Sequence, residues 1–129
     1  YKIDFYNIDE EFKIELGIPE DSNALSQLYP PKGYIAWHNN ANAVGWNLLF
    51  TWSETGEGWF KYIDKYGKEI TIPDKKGWSV KGGYFGSYDE DNKLCYHAAY
   101  TDCLRLTQSF VIGKNYDYWK DCINYISGE

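Results

Sequence analysis

Methionine is absent from these 129 residues, and histidine occurs only at His38 and His97. Without a Met, the natural start is expected upstream of Tyr1, which leaves room there for a leader. Cysteine is scarce and odd in number: Cys95, Cys103 and Cys122. They form no CxxC pair, so the chain has neither zinc-ribbon spacing nor a disulfide framework. Free thiols in a reducing, cytoplasmic setting are the expectation. No apolar run approaches the roughly 20 residues that a spanning helix needs. No basic n-region leads into an apolar stretch, so no signal peptide is read and no membrane partner is expected. Long runs of like charge are missing too; Lys75-Lys76 and Asp89-Glu90-Asp91 are short loop charges on a solvated surface. A net charge of −6 argues against an unaided grip on a phosphate backbone, which needs clustered Lys and Arg.

Aromatic residues, by contrast, are abundant: six Trp, thirteen Tyr and six Phe. That load favours strands, and the length fits a single domain spanning residues 1–129 with a real core. Apolar–polar alternation, broken by Gly, Pro, Asn and Asp, predicts strands near 11–16, 25–29, 33–40, 46–53, 59–64, 69–72, 78–85, 95–101 and 103–112. Gly82-Gly83 inside one of them reads as a bulge. Residues 116–126 have helical spacing through Tyr118, Trp119, Cys122, Ile123 and Ile126, and would cap the outer face of a sheet. Short strands at close spacing with one terminal helix give a mostly β fold, a two-sheet sandwich or jelly roll.

The chemistry-bearing residues fall in these strands. His38 and Asn40 share a face because side chains alternate along a strand. His97 lies on a later strand. Arg105 and Thr107 share a face of the strand after that, opposite Leu104, Leu106 and Phe110. Two imidazoles and a side-chain oxygen can hold a redox metal on one side and leave the other open. An arginine with a neighbouring hydroxyl can receive a carboxylate bidentately.

In these motifs the chain resembles the 2-oxoglutarate- and iron(II)-dependent dioxygenases, which are built on a double-stranded β-helix. The family pattern is H-x-D, then a distal His, then Arg or Lys with a small hydroxyl residue two positions on. Here it reads H-N-N, then Y-H-A-A-Y-T-D-C-L-R-L-T. L-Y-P-P-K-G-Y-I-A-W-H is similar to the approach to the first ligand, and G-E-G-W-F to a G-G-x-F hairpin. The resemblance covers roughly residues 25–113, and the small size with the W-H-x-N wording resembles phage-encoded members. It implies His38, Asn40 and His97 as the metal face for iron(II). It implies Arg105 and Thr107, with Tyr29 and Gln27, as contacts for the distal carboxylate of 2-oxoglutarate. The implied reaction hydroxylates an unidentified substrate with O2 and releases succinate and CO2, the cofactor supplying the chemistry while the protein sets position and access.

Asn40 stands where the family has an acid. An amide oxygen ligates iron without charge, so weaker metal binding is implied. Three outcomes stay open: turnover with Asn40, displacement of Asn40 by another ligand, or loss of turnover. Each residue also has a plain reading. Arg105 alone would be a structural ion pair with Asp102 or Glu54, since a buried guanidinium needs an anion. Thr107 would be a strand residue and Tyr29 packing, while Cys95 and Cys103 would be core thiols. Trp37, Trp46, Trp52 and Trp59 would be mostly core. The alternative function is a catalytically degenerate jelly-roll module that binds peptide or glycan.

Overall fold

The computed structural model describes residues 23–39, 45–85, 95–113 and 116–127. The strand expected near 11–16, and Asn40 itself, lie outside the described residues. Among the described residues, eight strands and one helix follow in chain order: β1 (Asn23–Tyr29), β2 (Tyr34–His38), β3 (Trp46–Ser53), β4 (Gly58–Ile63), β5 (Glu69–Pro73), β6 (Gly77–Tyr84), β7 (His97–Thr101), β8 (Arg105–Gly113) and α1 (Tyr116–Ser127). They form two four-stranded sheets with orders β1-β8-β3-β6 and β2-β7-β4-β5. All pairings are antiparallel. Strands 1, 8, 3 and 6 facing 2, 7, 4 and 5 is the jelly-roll order, so the expected fold class stands.

The connection from β1 to β2 shows how local chemistry sends the chain from one sheet to the other. Pro31 fixes its own φ at the second position of the turn. Lys32 takes a left-handed φ of 67°, and Gly33 N–H closes the turn on the Pro30 carbonyl at 2.8 Å. Lys32 N–H then donates to the Thr101 carbonyl at 2.8 Å, and Thr101 N–H donates to the Gly33 carbonyl at 3.0 Å. The turn is thereby tied to β7.

The main apolar core lies outside the sandwich, between the first sheet and α1. Leu48, Phe110, Ile112, Trp119 and Cys122 are buried there, with Trp46, Phe50 and Ile123 packed against them. Trp119 stacks on Trp46 with centroids 4.9 Å apart. The expected bulge at Gly82-Gly83 is absent: β6 keeps an unbroken register with β3 from Trp46↔Tyr84 to Ser53↔Gly77. Gly82 is needed for space instead, because a Cβ there would overlap the Trp119 indole.

The expected Trp core is also corrected. None of Trp37, Trp46, Trp52 and Trp59 is buried, and Trp37, on the edge strand β2, is 47% exposed. The buried tryptophan is Trp119, and of the four only Trp46 packs against that core.

The space between the sheets is polar. Residues paired across a ladder project from the same face, so Tyr29, Arg105 and Ser53 form one row, and Gln27, Thr107 and Thr51 the next. In the facing sheet the rows are Thr101 with Gly58, Ala99 with Phe60, and His97 with both Tyr62 and His38. Burying this many polar groups is costly unless each finds a partner. These polar groups concentrate on the inward faces, beside Ala99 and Phe60, while the main apolar cluster lies on the helix side of the first sheet.

Candidate functional site

His38 ends β2 and His97 begins β7, and the two are direct partners in the ladder. Their ring centroids lie 4.2 Å apart with the planes tilted by 57°. His97 is buried, while His38 is half-buried. Phe60 stacks on His97 at 5.5 Å, and Phe85 meets it edge-on at 5.0 Å. One imidazole is thus walled by aromatics, and its neighbour reaches toward solvent.

Both rings are oriented in the same way. His38 Nδ1 lies 2.7 Å from the Ala36 carbonyl oxygen, and His97 Nδ1 lies 2.9 Å from the Cys95 carbonyl oxygen. A carbonyl only accepts, so each Nδ1 carries the proton and donates it. In the neutral ring, Nε2 is then the bare nitrogen on both residues. This is the second-sphere arrangement that metal-ligating histidines use. Burial holds His97 neutral by pushing its pKa from 6.5 to about 4; the Cys95 carbonyl opposes that change and the nearby His38 adds to it. A neutral imidazole is the form that binds metal. Among the described residues, no cluster of three or more His, Cys, Asp or Glu is arranged to hold an ion. The third expected ligand, Asn40, lies outside them.

Arg105 sits two rows deeper, and it has an anion. Its Nε donates to Asp74 Oδ2 at 2.8 Å, and a second nitrogen lies 3.5 Å from Oδ1. The side chains are 2% and 0% exposed, so the charges neutralise each other away from water. The partner is therefore Asp74, at the exit of β5, rather than Asp102 or Glu54. Gly58 makes the pairing possible: a Cβ there would stand 2.7 Å from Asp74 Oδ2 and 2.8 Å from the Tyr100 carbonyl. The Asp74 N–H donates back to the Gly58 carbonyl at 2.9 Å. Because Arg105 belongs to one sheet and Asp74 leaves the other, the pair bridges the sandwich.

The other expected carboxylate contacts gather around Arg105. Tyr29 presents its ring 5.3 Å from the guanidinium carbon, and its hydroxyl donates to Gln27 Oε1 at 2.7 Å. Burial raises the Tyr29 pKa, while the Arg105 charge pulls it down. Thr107 pairs with Gln27 and Thr51 in the next row. Sequence reasoning missed two polar residues between the sheets, Asp74 and Lys81. The Lys81 ammonium donates to Thr51 Oγ1 at 3.4 Å and lies 5.9 Å from the Phe60 centroid on the opposite sheet. The signal for both was the need of a buried guanidinium for an anion, and an alternation that turns Lys81 to the same face as Ser79.

The cysteines take no part in the histidine pair through their sulfurs. Cys103 is buried with its Sγ 3.3 Å from Ser53 Oγ, and Cys95 serves His97 with its carbonyl. None of the helices among the described residues is long and apolar enough to cross a membrane.

No family model matches the chain, and no curated protein matches it. Among solved structures it is similar to a Pseudomonas putida prolyl-4-hydroxylase, at 14% identity and a TM-score of 0.48, over 70% of this chain and 50% of that one. The chain therefore spans about half the length of that enzyme. It is also similar to Drosophila melanogaster CENP-C bound to CAL1, at 9% identity and a TM-score of 0.46, over 81% of this chain and 95% of that one.

Proposed function

We propose that this chain is an oxidoreductase that uses iron(II), 2-oxoglutarate and O2 to hydroxylate a substrate, with succinate and CO2 as co-products. The observation that carries this reading is the histidine pair: two adjacent imidazoles, each with its Nδ1 proton given to a backbone carbonyl and Nε2 left bare. That donor set fits a divalent iron. His38 and His97 would hold the ion, Asn40 being the third ligand implied by the H-x-D position. When bound, iron(II) would supply the oxygen chemistry.

What the chain's own residues contribute follows from their contacts. The Ala36 and Cys95 carbonyls fix the two tautomers. Phe60 and Phe85 keep water from the His97 side of the site, and the half-buried His38 side is left for the primary substrate. The acid subsite fits less well. Arg105 with Thr107, Tyr29 and Gln27 is the implied receptor for 2-oxoglutarate, yet its guanidinium already holds Asp74. That pair is the observation behind a second reading, the catalytically degenerate jelly-roll module that binds peptide or glycan.

The test is an anaerobic titration with iron(II) and then 2-oxoglutarate, followed by visible absorption, on the native protein and on His97→Ala. A charge-transfer band in the native protein only, with succinate formed after oxygen is admitted, is the expected result. Metal binding without a band or succinate selects the binding module, and no His97-dependent metal binding at all sinks the proposal.

A further inference from the structure

An open sheet edge invites pairing with another chain, and folded proteins blunt their edges against it. Among the described residues the edges are β1 and β6 in the first sheet and β2 and β5 in the second. Three of these carry a blunting device. β1 has a register shift between Asn23 and Leu25 and runs into Pro30-Pro31. β2 follows those prolines and has a register shift between Ile35 and His38. β5 is short, starts on the charged Glu69 and stops at Pro73.

β6 has none of them. It holds no proline and keeps an unbroken register with β3 along its whole length. Its one charge, Lys81, is turned away from the edge, because the ammonium reaches back over β3 to Thr51 at 3.4 Å. On the other face Trp78 and Val80 are 51% and 39% exposed. Trp78 ends an apolar row that crosses the whole sheet through Leu28, Leu106 and Trp52. α1 packs farther along the same face, where Trp119 lies against Gly82, and it leaves Trp78 uncovered. The β6 edge is thus open along its backbone and apolar on its outward face.

We infer that β6 is a homodimer interface, pairing antiparallel with β6 of a second copy so that the two first sheets become one continuous sheet. The occupant is a second copy because the strand is complementary to itself. Residues opposite each other in an antiparallel pair share a face, so outward residues must meet outward residues. A two-fold axis then falls on a residue, and the central choices are Ser79, Val80 and Lys81. An axis at Lys81 sets two lysines directly opposite, which like charges disfavour. An axis at Ser79 leaves Gly82, Gly83 and Tyr84 beyond the end of the other strand. An axis at Val80 sets Val80 against itself, Ser79 against Lys81, Trp78 against Gly82 and Gly77 against Gly83. No like charges meet, and Lys81 gains a hydroxyl neighbour. Gly82 has no side chain, and Trp119 fills the space above it. Trp78 of each copy therefore comes beside Trp119 of the other, an aromatic contact. The exposed end of one apolar row runs on into the helix-covered core of the second copy. The histidine pair lies in the other sheet, on β2 and β7, so this inference does not rest on the metal reading.

The test is sedimentation velocity of the whole protein over a concentration series. The native protein is expected to pass from monomer to dimer as concentration rises. Val80→Lys puts two ammonium groups face to face on the axis and is expected to raise the dimer dissociation constant roughly tenfold or more. Val80 is exposed in the single chain, so the dilute variant is expected to unfold at the native temperature. Val80→Cys sets two thiols opposite each other within disulfide reach. With oxidised glutathione as the oxidant it is expected to give a disulfide-linked dimer that the native protein, treated alike, does not give. A native protein that stays monomeric at every concentration overturns the inference. So does a dimer that Val80→Lys leaves unweakened, or a Val80→Cys protein that yields no disulfide where the native protein is dimeric.

Discussion

Arg105 and Asp74 meet at 2.8 Å across the gap between the two sheets, with side chains 2% and 0% exposed. Removing one partner strands the other charge away from water, so Asp74→Ala is expected to cost about 3–5 kcal/mol. Replacing both by apolar residues of similar size, as in Asp74→Leu with Arg105→Met, should recover most of that loss. Urea denaturation of Asp74→Leu, of Arg105→Met and of the double variant reads the coupling. Additive losses would mean that the two charges do not depend on each other.

Gly58 should be as sensitive as the pair it accommodates. Its missing side chain leaves the space that Asp74 Oδ2 and the Tyr100 carbonyl fill, at 2.7 and 2.8 Å from a would-be Cβ. Gly58→Ala must push the carboxylate off Arg105 or move β4, at a cost of about 1–3 kcal/mol. In an Asp74→Asn background the second cost should be smaller, because the displaced contact is already weakened. Equal effects in both backgrounds would place the strain on the backbone alone.

Tyr29 contributes through its ring as well as its hydroxyl. Tyr29→Phe loses the 2.7 Å bond to Gln27 and is expected to cost about 1 kcal/mol. Tyr29→Ala also removes the aromatic face beside Arg105 and leaves a cavity, for a loss of about 3–5 kcal/mol. Equal stability of the two variants in thermal unfolding would show that the ring does not support the guanidinium.

Much of this arrangement was legible from alternation. Arg105 and Thr107 opposite Leu106 and Phe110 is a period-two statement, and the ladder with β3 obeys it. The helix was legible because Trp119, Cys122 and Ile123 recur at helical spacing. The sheet order was not legible, since the pairing of β1 with β8 or of β2 with β7 depends on contacts far apart in sequence. Asp74 looked like a strand stop after Pro73, and its role appears only when β5 is brought over Arg105. Lys81 runs against ordinary burial rules: in Trp78-Ser79-Val80-Lys81 the apolar pair faces outward, 51% and 39% exposed, and the lysine turns inward. Burial rules assume an apolar interior. Here the main apolar core sits between a sheet and a helix, and the space between the sheets takes most of the buried polar groups, with Phe60, Phe85 and Ala99 beside them.

The pH dependence of stability should carry the signature of His97. Its pKa in the folded protein is pushed down to about 4, chiefly by burial, against an ordinary value of 6.5. Between those two values the unfolded chain binds a proton at this position and the folded protein does not. Protonation therefore favours unfolding: the His97 contribution is complete above about pH 6.5, falls as the pH drops toward about 4, and levels off below that. A pKa displaced by one pH unit corresponds to about 1.4 kcal/mol, so this one residue is expected to remove up to about 3 kcal/mol across that window. Carboxylates titrate nearby as well, so the informative quantity is the difference between native protein and His97→Gln, measured by urea denaturation at a series of pH values. That difference should slope between pH 4 and 6.5 and be flat above. Saturating metal should steepen the native curve in the same window, because protons and metal compete for the bare Nε2, and should leave the His97→Gln curve unchanged. A parallel pair of curves would mean that His97 is solvated and free to protonate in the folded protein. The proposal that it is a preformed metal ligand would then fall, because a ring that must shed a proton before it can bind is not held ready for metal.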